Sequence, residues 1–157
     1  MLRILILPNT SAPLFVGVYR DFKLEFSLES TKPLSDSLVS LFLELENRLK
    51  KSGESFSELY FVRGPGSFMA LKLIYIFAKT LEISRDIRLF AADAFNFNQN
   101  SPIKAYGNCY FIKEAESKIT LKTFEIPPTL KALELPQVLD SSIFSQNLKP
   151  LYILPPV

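Results

Sequence analysis

The sequence predicts a mixed α/β fold in the order β-β-β-α-β-α-β, with a reduced C-terminal lobe behind it. Three observations predict it. Leu2–Leu7 is apolar throughout and stops at the turn cluster Pro8-Asn9-Thr10-Ser11, as a strand buried on both faces does. Residues 34–51 place apolar side chains at helical spacing, whereas Lys23–Leu28 alternates polar and apolar at the period of a strand. Glu58–Val62 is a β-type run broken by Gly64-Pro65-Gly66-Ser67, after which a long apolar segment reads as a helix.

Each element follows in order. After the first strand, Leu14–Tyr19 is rich in Val and aromatics, Arg20-Asp21 forms a turn, and Lys23–Leu28 completes a hairpin. Glu29–Pro33 is a loop. In the first helix, residues 34–51, Leu34, Leu38, Leu41, Phe42, Leu45 and Leu49 form the apolar stripe, widened by Val39 and Leu43. Lys50, Lys51 and Gly53 are the residues expected at its C-terminus. The second helix runs over residues 67–83, with Ser67 as N-cap. It is apolar on nearly every side, so it needs cover from its sheet and from something further, either the first helix or a partner. Ile87–Phe90 is the fifth strand and Ala91–Phe95 a helical turn. The polar stretch Asn96–Pro102 divides an N-terminal lobe, 1–98, from a short appendage, 99–157, in which Ala105–Lys113 and Lys118–Phe124 pair as a hairpin. Leu151–Leu154 is a possible last strand. A three-strand meander followed by alternating helices and strands resembles the ribonuclease-H-like mixed sheet, which is also the repeating lobe of the actin, hexokinase and Hsp70 ATPases.

Composition excludes several chemistries. The chain has 157 residues, 48% apolar and 22% charged, with a net charge of +2, which is too small for nucleic-acid binding driven by bulk charge. It has no histidine, which removes Ser-His-Asp and Cys-His catalysis and histidine-ligated metals. The lone Cys109 can form neither an internal disulfide nor a cysteine zinc site, and reads as a small core residue. No segment approaches the roughly 18 apolar residues of a membrane span, and the apolar start is too short for a signal-peptide core. The expected location is the cytoplasm. The 14 phenylalanines fall on apolar runs and read as core, not as base-stacking platforms. Glu44, Glu46 and Asp93 have no partner at catalytic spacing and read as solvated or capping residues. Arg48, Lys50 and Lys51 read as favourable charges at a helix C-terminus.

The most distinctive string is Gly64-Pro65-Gly66-Ser67-Phe68. Physics alone makes it a strand-to-helix turn whose N–H groups could meet an anion, and it lacks the Gly-x-x-x-x-Gly-Lys-Ser/Thr spacing of a P-loop. The string is similar to the Gly-Pro-Gly-Ser-Phe-Thr-Gly-Leu-Arg-Ile-Gly signature of the TsaB (YeaZ) family. Its first five positions match, as does Leu71, and Lys72 keeps the charge. Ala78-Lys79-Thr80-Leu81 resembles the family's Ala-Lys-Gly-Leu. Tyr106-Gly107-Asn108-Cys109-Tyr110 shares Gly107 and Tyr110 with its Arg-Gly-Glu-Val-Tyr.

The resemblance implies a non-catalytic subunit in the synthesis of threonylcarbamoyladenosine on tRNA. Such a subunit is an inactive relative of TsaD, which binds metal and nucleotide and transfers the threonylcarbamoyl group. It pairs with TsaD through a helix bundle, TsaE joins the complex, and tRNA is met only through the complex. No cofactor, metal or catalytic residue is expected in this chain. Where ATPases of this fold carry an acidic residue after the first strand, this sequence has Pro8-Asn9-Thr10-Ser11, which offers no carboxylate for Mg²⁺. Ala70 and Ile74 replace motif glycines, and Ile74 implies a wider helix contact. The short tail makes the chain look like a reduced member of the family.

The expected partner surface comprises Leu38, Val39, Phe42 and Leu45 of the first helix and Met69, Ala70, Leu73, Ile76 and Phe77 of the second. One sheet face cannot cover all of these together with Leu43, and monomers seldom leave so large an apolar patch in water. The same patch could pair with itself when TsaD is absent. Two other readings stand beside this one: a small-molecule kinase or peptidase of the same superfamily, which needs an acidic metal or phosphate site, and a homodimeric interaction protein unrelated to tRNA.

Overall fold

The computed structural model describes residues 1–8, 14–115 and 118–151. The chain runs β1 (Leu2–Leu7), β2 (Leu14–Arg20), β3 (Lys23–Ser30), α1 (Leu34–Lys51), β4 (Phe56–Val62), α2 (Phe68–Arg85) and β5 (Arg88–Ala92). These strands form one mixed sheet in the order β3-β2-β1-β4-β5. β1 pairs antiparallel with β2, and β2 with β3, while β1–β4 and β4–β5 are parallel. The β2–β3 turn is Asp21-Phe22, one residue later than expected, with both residues at positive φ. Phe22 is a bulky side chain in a conformation that disfavours it. The Arg3 guanidinium lies 3.7 Å from its ring centroid and its carbonyl accepts from Leu139 N, two contacts that hold it there.

The pleat sends successive side chains to opposite faces, which is why β1 has to be apolar throughout. Leu2, Ile4 and Ile6, with Leu59, Phe61, Leu89 and Ala91, face α1 and α2. Leu5 and Leu7, with Tyr60, Val62 and Ala92, face the other way into a second core. Both helices lie on the first face. Phe42 meets Phe77 edge-on with centroids 4.6 Å apart, and Glu46 pairs with Arg85, so the helices run side by side in the same direction.

The C-terminal region departs from expectation in its strands. The single strand expected at Ala105–Lys113 is two, β6 (Ile103–Tyr106) and β7 (Cys109–Lys113), because Gly107 takes a φ of +50° and turns the chain back. With β8 (Ile119–Thr123) they make a three-stranded antiparallel sheet, β6-β7-β8, where a hairpin was expected. Cys109 begins β7, half-buried and 3.6 Å from Thr123 Oγ1, and belongs to neither core. Residues of the stretch read as an appendage pack on the N-terminal lobe. Leu133 and Leu139 enter the second core. Leu24 N donates to Gln137 O at 2.9 Å, Leu139 N to Phe22 O at 2.8 Å, and Ala91 and Ser145 exchange backbone bonds at 2.8 and 2.9 Å. The expected last strand at 151–154 lies outside the described residues beyond Leu151, as do Asn9-Thr10-Ser11 and the end of the turn expected at 114–117. Among the described residues no helix is long and apolar enough to cross a membrane.

Tyr19 ties the two regions together. Its ring is fully buried and its hydroxyl donates to Pro136 O at 2.7 Å. Burial holds its phenol well above the ordinary value, and Tyr60 is raised as well, by burial first and by its bond to Glu58 second. Above about pH 10 the unfolded chain gives up these protons while the folded chain keeps them. Stability should therefore be flat below about pH 10 and fall above it. Urea titrations from neutral to alkaline pH should show this limb, and Tyr19→Phe should flatten it while costing about 1 kcal/mol at neutral pH.

Candidate functional site

α1 has no side-chain N-cap, and it ends with Arg48, Lys50 and Lys51 in its last turn before Ser52. α2 starts as the sequence predicts: Ser67 is the N-cap and its Oγ accepts from Ala70 N. The turn before it requires glycine at position 64. Gly64 has a φ of +112°, and a Cβ there would lie 2.8 Å from Leu71 Cδ1. The Gly64 carbonyl accepts from Ala94 N at 2.8 Å, which fixes the turn to the chain leaving β5. Gly64, Pro65, Gly66, Ser67 and Phe68 thus set the angle at which α2 leaves the sheet.

The expected surface residues divide into two sets. Leu38, Phe42 and Leu45 are buried in this chain's own core and are closed to a partner, because they sit on the side of α1 that meets the sheet. Val39 and Leu43, one turn apart on the opposite side, are 55% and 56% exposed. On α2, Met69 is 60% and Ile76 52% exposed, with Leu73 half-buried between them. Met69, Leu73 and Ile76 follow the i, i+4, i+7 spacing of one helix stripe. Ala70 and Phe77 are half-buried, Phe77 against Phe42. Ile74, expected to widen a helix contact, is fully buried against the sheet and does not reach the outer face. Phe68 and Ile83 add exposed apolar surface at the two ends of α2. Leu71, Ile74, Ala78 and Leu81 are buried and Tyr75 and Phe77 pack partly against the core, so among the described residues the outer side of this apolar helix stays open.

Glu44, Glu46 and Asp93 are engaged in pairs within the chain. Asp93 caps the 3-10 turn Ala94–Asn96 through Phe95 N and pairs with Lys113 at 2.7 Å. Glu44 pairs with Arg48 one turn along α1. Arg63 donates from Nε to Lys149 O, and burial lowers its pKa against the opposing effect of Asp93. Sequence reasoning missed the buried Glu58, which accepts from Arg3 at 2.6 Å, Arg88 at 2.9 Å and Tyr60 at 3.0 Å. A charge on each of two otherwise apolar strands, Arg3 and Glu58, was the available signal. Among the described residues no group of three acidic or cysteine side chains could hold a metal.

No family model and no curated protein matches the sequence. Solved structures do match. YeaZ from Pseudomonas aeruginosa superposes with a TM-score of 0.53 at 14% identity, over 84% of this chain and 67% of that one. The fold is similar to that of YeaZ. A second structure, an uncharacterized protein with similarity to the peptidase YeaZ from Pseudomonas aeruginosa, gives 0.52 and 13%, over 85% of this chain and 64% of that one. This chain therefore spans about two thirds of the length of each YeaZ-like structure.

Proposed function

We propose that this chain is a TsaB-type accessory subunit with a ribonuclease-H-like sheet. On this reading it binds TsaD through the outer faces of α1 and α2 and holds TsaD competent for threonylcarbamoyl transfer. It performs no chemistry itself, TsaE joins the larger complex, and tRNA is met only through TsaD, in the cytoplasm. The observation that carries the reading is the apolar stripe Val39, Leu43, Met69 and Ile76, exposed on two adjacent helices. Two helices presenting such a stripe fit two helices of a partner. The YeaZ-like fold and the Gly64–Phe68 string at the head of α2 support the choice of partner.

The test is co-purification with TsaD from the same cell, with mass measured by light scattering. Wild type should form a heterodimer. Val39→Glu and Ile76→Glu should each weaken it by about 100-fold or more, since a carboxylate would be buried without a partner. Ile126→Glu, at a position 81% exposed outside both helices, should leave it intact. A folded monomer that ignores TsaD would sink the reading. Self-association through the same stripe, without TsaD binding, would favour the homodimeric alternative.

A further inference from the structure

A cavity of about 280 Å³ opens beside the head of α2, apart from the helix stripe. It lies where Pro8 leaves β1 and Val62 ends β4, at the carboxyl ends of two adjacent parallel strands. From β1 the chain turns towards β2, and from β4 it crosses through α2 to β5 on the other side. The two connections part there, and in open α/β sheets such a crevice is where ligands bind.

The lining chemistry is one-sided. Val62, Leu71, Ile103 and Leu133 give apolar walls. Lys104 and Lys131 bring two positive charges, both exposed, and among the described residues no carboxylate lines the cavity. Neither lysine belongs to an ion pair among the described residues; Lys131 Nζ donates only to Gln99 Oε1. The first turn of α2 carries no acidic residue, so the positive end of an 18-residue helix adds to the same field. Asn98 supplies an independent observation. It lines the cavity at 2% exposure, its Nδ2 donates to Ser101 O, and its Oδ1 has no partner among the described residues. A buried amide oxygen without a donor costs about 1–3 kcal/mol, so it marks a place where a donor is wanted.

We propose that this cavity binds a small organic anion. Its acidic group would lie at Lys104, Lys131 and the N-terminus of α2. Its apolar body would lie between Val62, Leu71 and Leu133, and an N–H or hydroxyl would be donated to Asn98 Oδ1. The absence of lining carboxylates argues against a metal–phosphate complex here.

N-acetylleucine has the required carboxylate, apolar body and N–H, and serves as the probe in ¹⁵N-correlation NMR titration of the full chain. Saturable shifts are expected at the amides of Ala70, Leu71 and Ala132 and at the side-chain amide of Asn98, at about millimolar probe. The exposed pair Lys104→Gln/Lys131→Gln should weaken binding about tenfold or more, and Lys50→Gln, in the last turn of α1, should not change it. N-acetylleucinamide, which lacks the charge, should bind at least about tenfold more weakly. Four results would overturn the proposal: no shifts with N-acetylleucine up to about 20 mM, equal binding of the amide, equal binding in the double variant, or the same shifts from inorganic phosphate alone. The helix stripe plays no part in this titration, so its outcome is independent of TsaD binding.

Discussion

Leu45→Ala is expected to lower stability by about 3–4 kcal/mol, more than any single change on the outer side of α1. Leu45 has no exposed surface and belongs to the core between α1 and the sheet, with Leu41, Leu49 and residues of β1 and β2. Truncation removes three buried carbons and leaves a cavity that neighbouring strands cannot collapse to fill. For a chain of this size that is roughly a 10 °C fall in Tm. Val39→Ala is the comparison. Val39 is 55% exposed, and its loss should change stability of the isolated chain by no more than about 0.5 kcal/mol. Urea denaturation of both variants, read as midpoint shifts at constant slope, distinguishes them. Equal costs at the two positions would mean that α1 is rotated about its axis from the orientation described.

Glu58→Gln should cost about 3 kcal/mol, although it removes only a charge. The Glu58 side chain is 7% and the Arg3 side chain 14% exposed, and the carboxylate gathers Arg3, Arg88 and the Tyr60 hydroxyl. Neutralising it leaves the Arg3 guanidinium out of water with no anion, which is where the cost arises. Two further variants separate this from a simple loss of contacts. Arg88 is 65% exposed, so Arg88→Ala should cost less than about 1 kcal/mol. The double variant Arg3→Met/Glu58→Leu removes both buried charges and should recover most of what Glu58→Gln loses. A neutral Glu58→Gln, or an Arg88→Ala as damaging as it, would show that the network does not support the sheet.

How much of this was legible in the sequence depends on the range of the interaction that decides each feature. α1 was legible from Leu34 to Lys51 because spacing, basic last turn and Gly53 all act within a few residues of one another. The N-cap of α2 was legible for the same reason, and so was β1, since a strand with no polar alternation has to be covered on both faces. The stripe of α1 that meets the sheet was legible as well, but not how sharply it closes Leu38, Phe42 and Leu45 while leaving Val39 and Leu43 open. Leu38 and Val39 are neighbours in sequence about 100° apart around the helix, and only the position of the sheet separates them. The second core was illegible too, because Leu133 and Leu139 lie in a proline-broken stretch whose short apolar runs match neither a helix nor a strand of ordinary length. Their partners, Leu5, Leu7 and Tyr19, lie more than a hundred residues away. The candidate site shows the same division. The Gly64–Phe68 turn is local and was read from its residues, whereas the cavity beside it joins side chains from six separate stretches of chain.

The segment from Gln137 to Ser145 makes two β-bridges to the sheet, and these fall on its two outermost strands: Val138 bridges to Lys23 on β3, and Ser145 to Ala91 on β5. An open sheet of five strands has two rows of unspent backbone donors and acceptors, each a template for another chain. One stretch of chain stitches both margins, each at a single bridge. Because it follows the sheet in sequence, it leaves the ribosome after every strand of that sheet has been made. Both margins therefore stay open through most of synthesis, and the interval before residue 145 emerges is when a crowded cell can most readily join one copy to another.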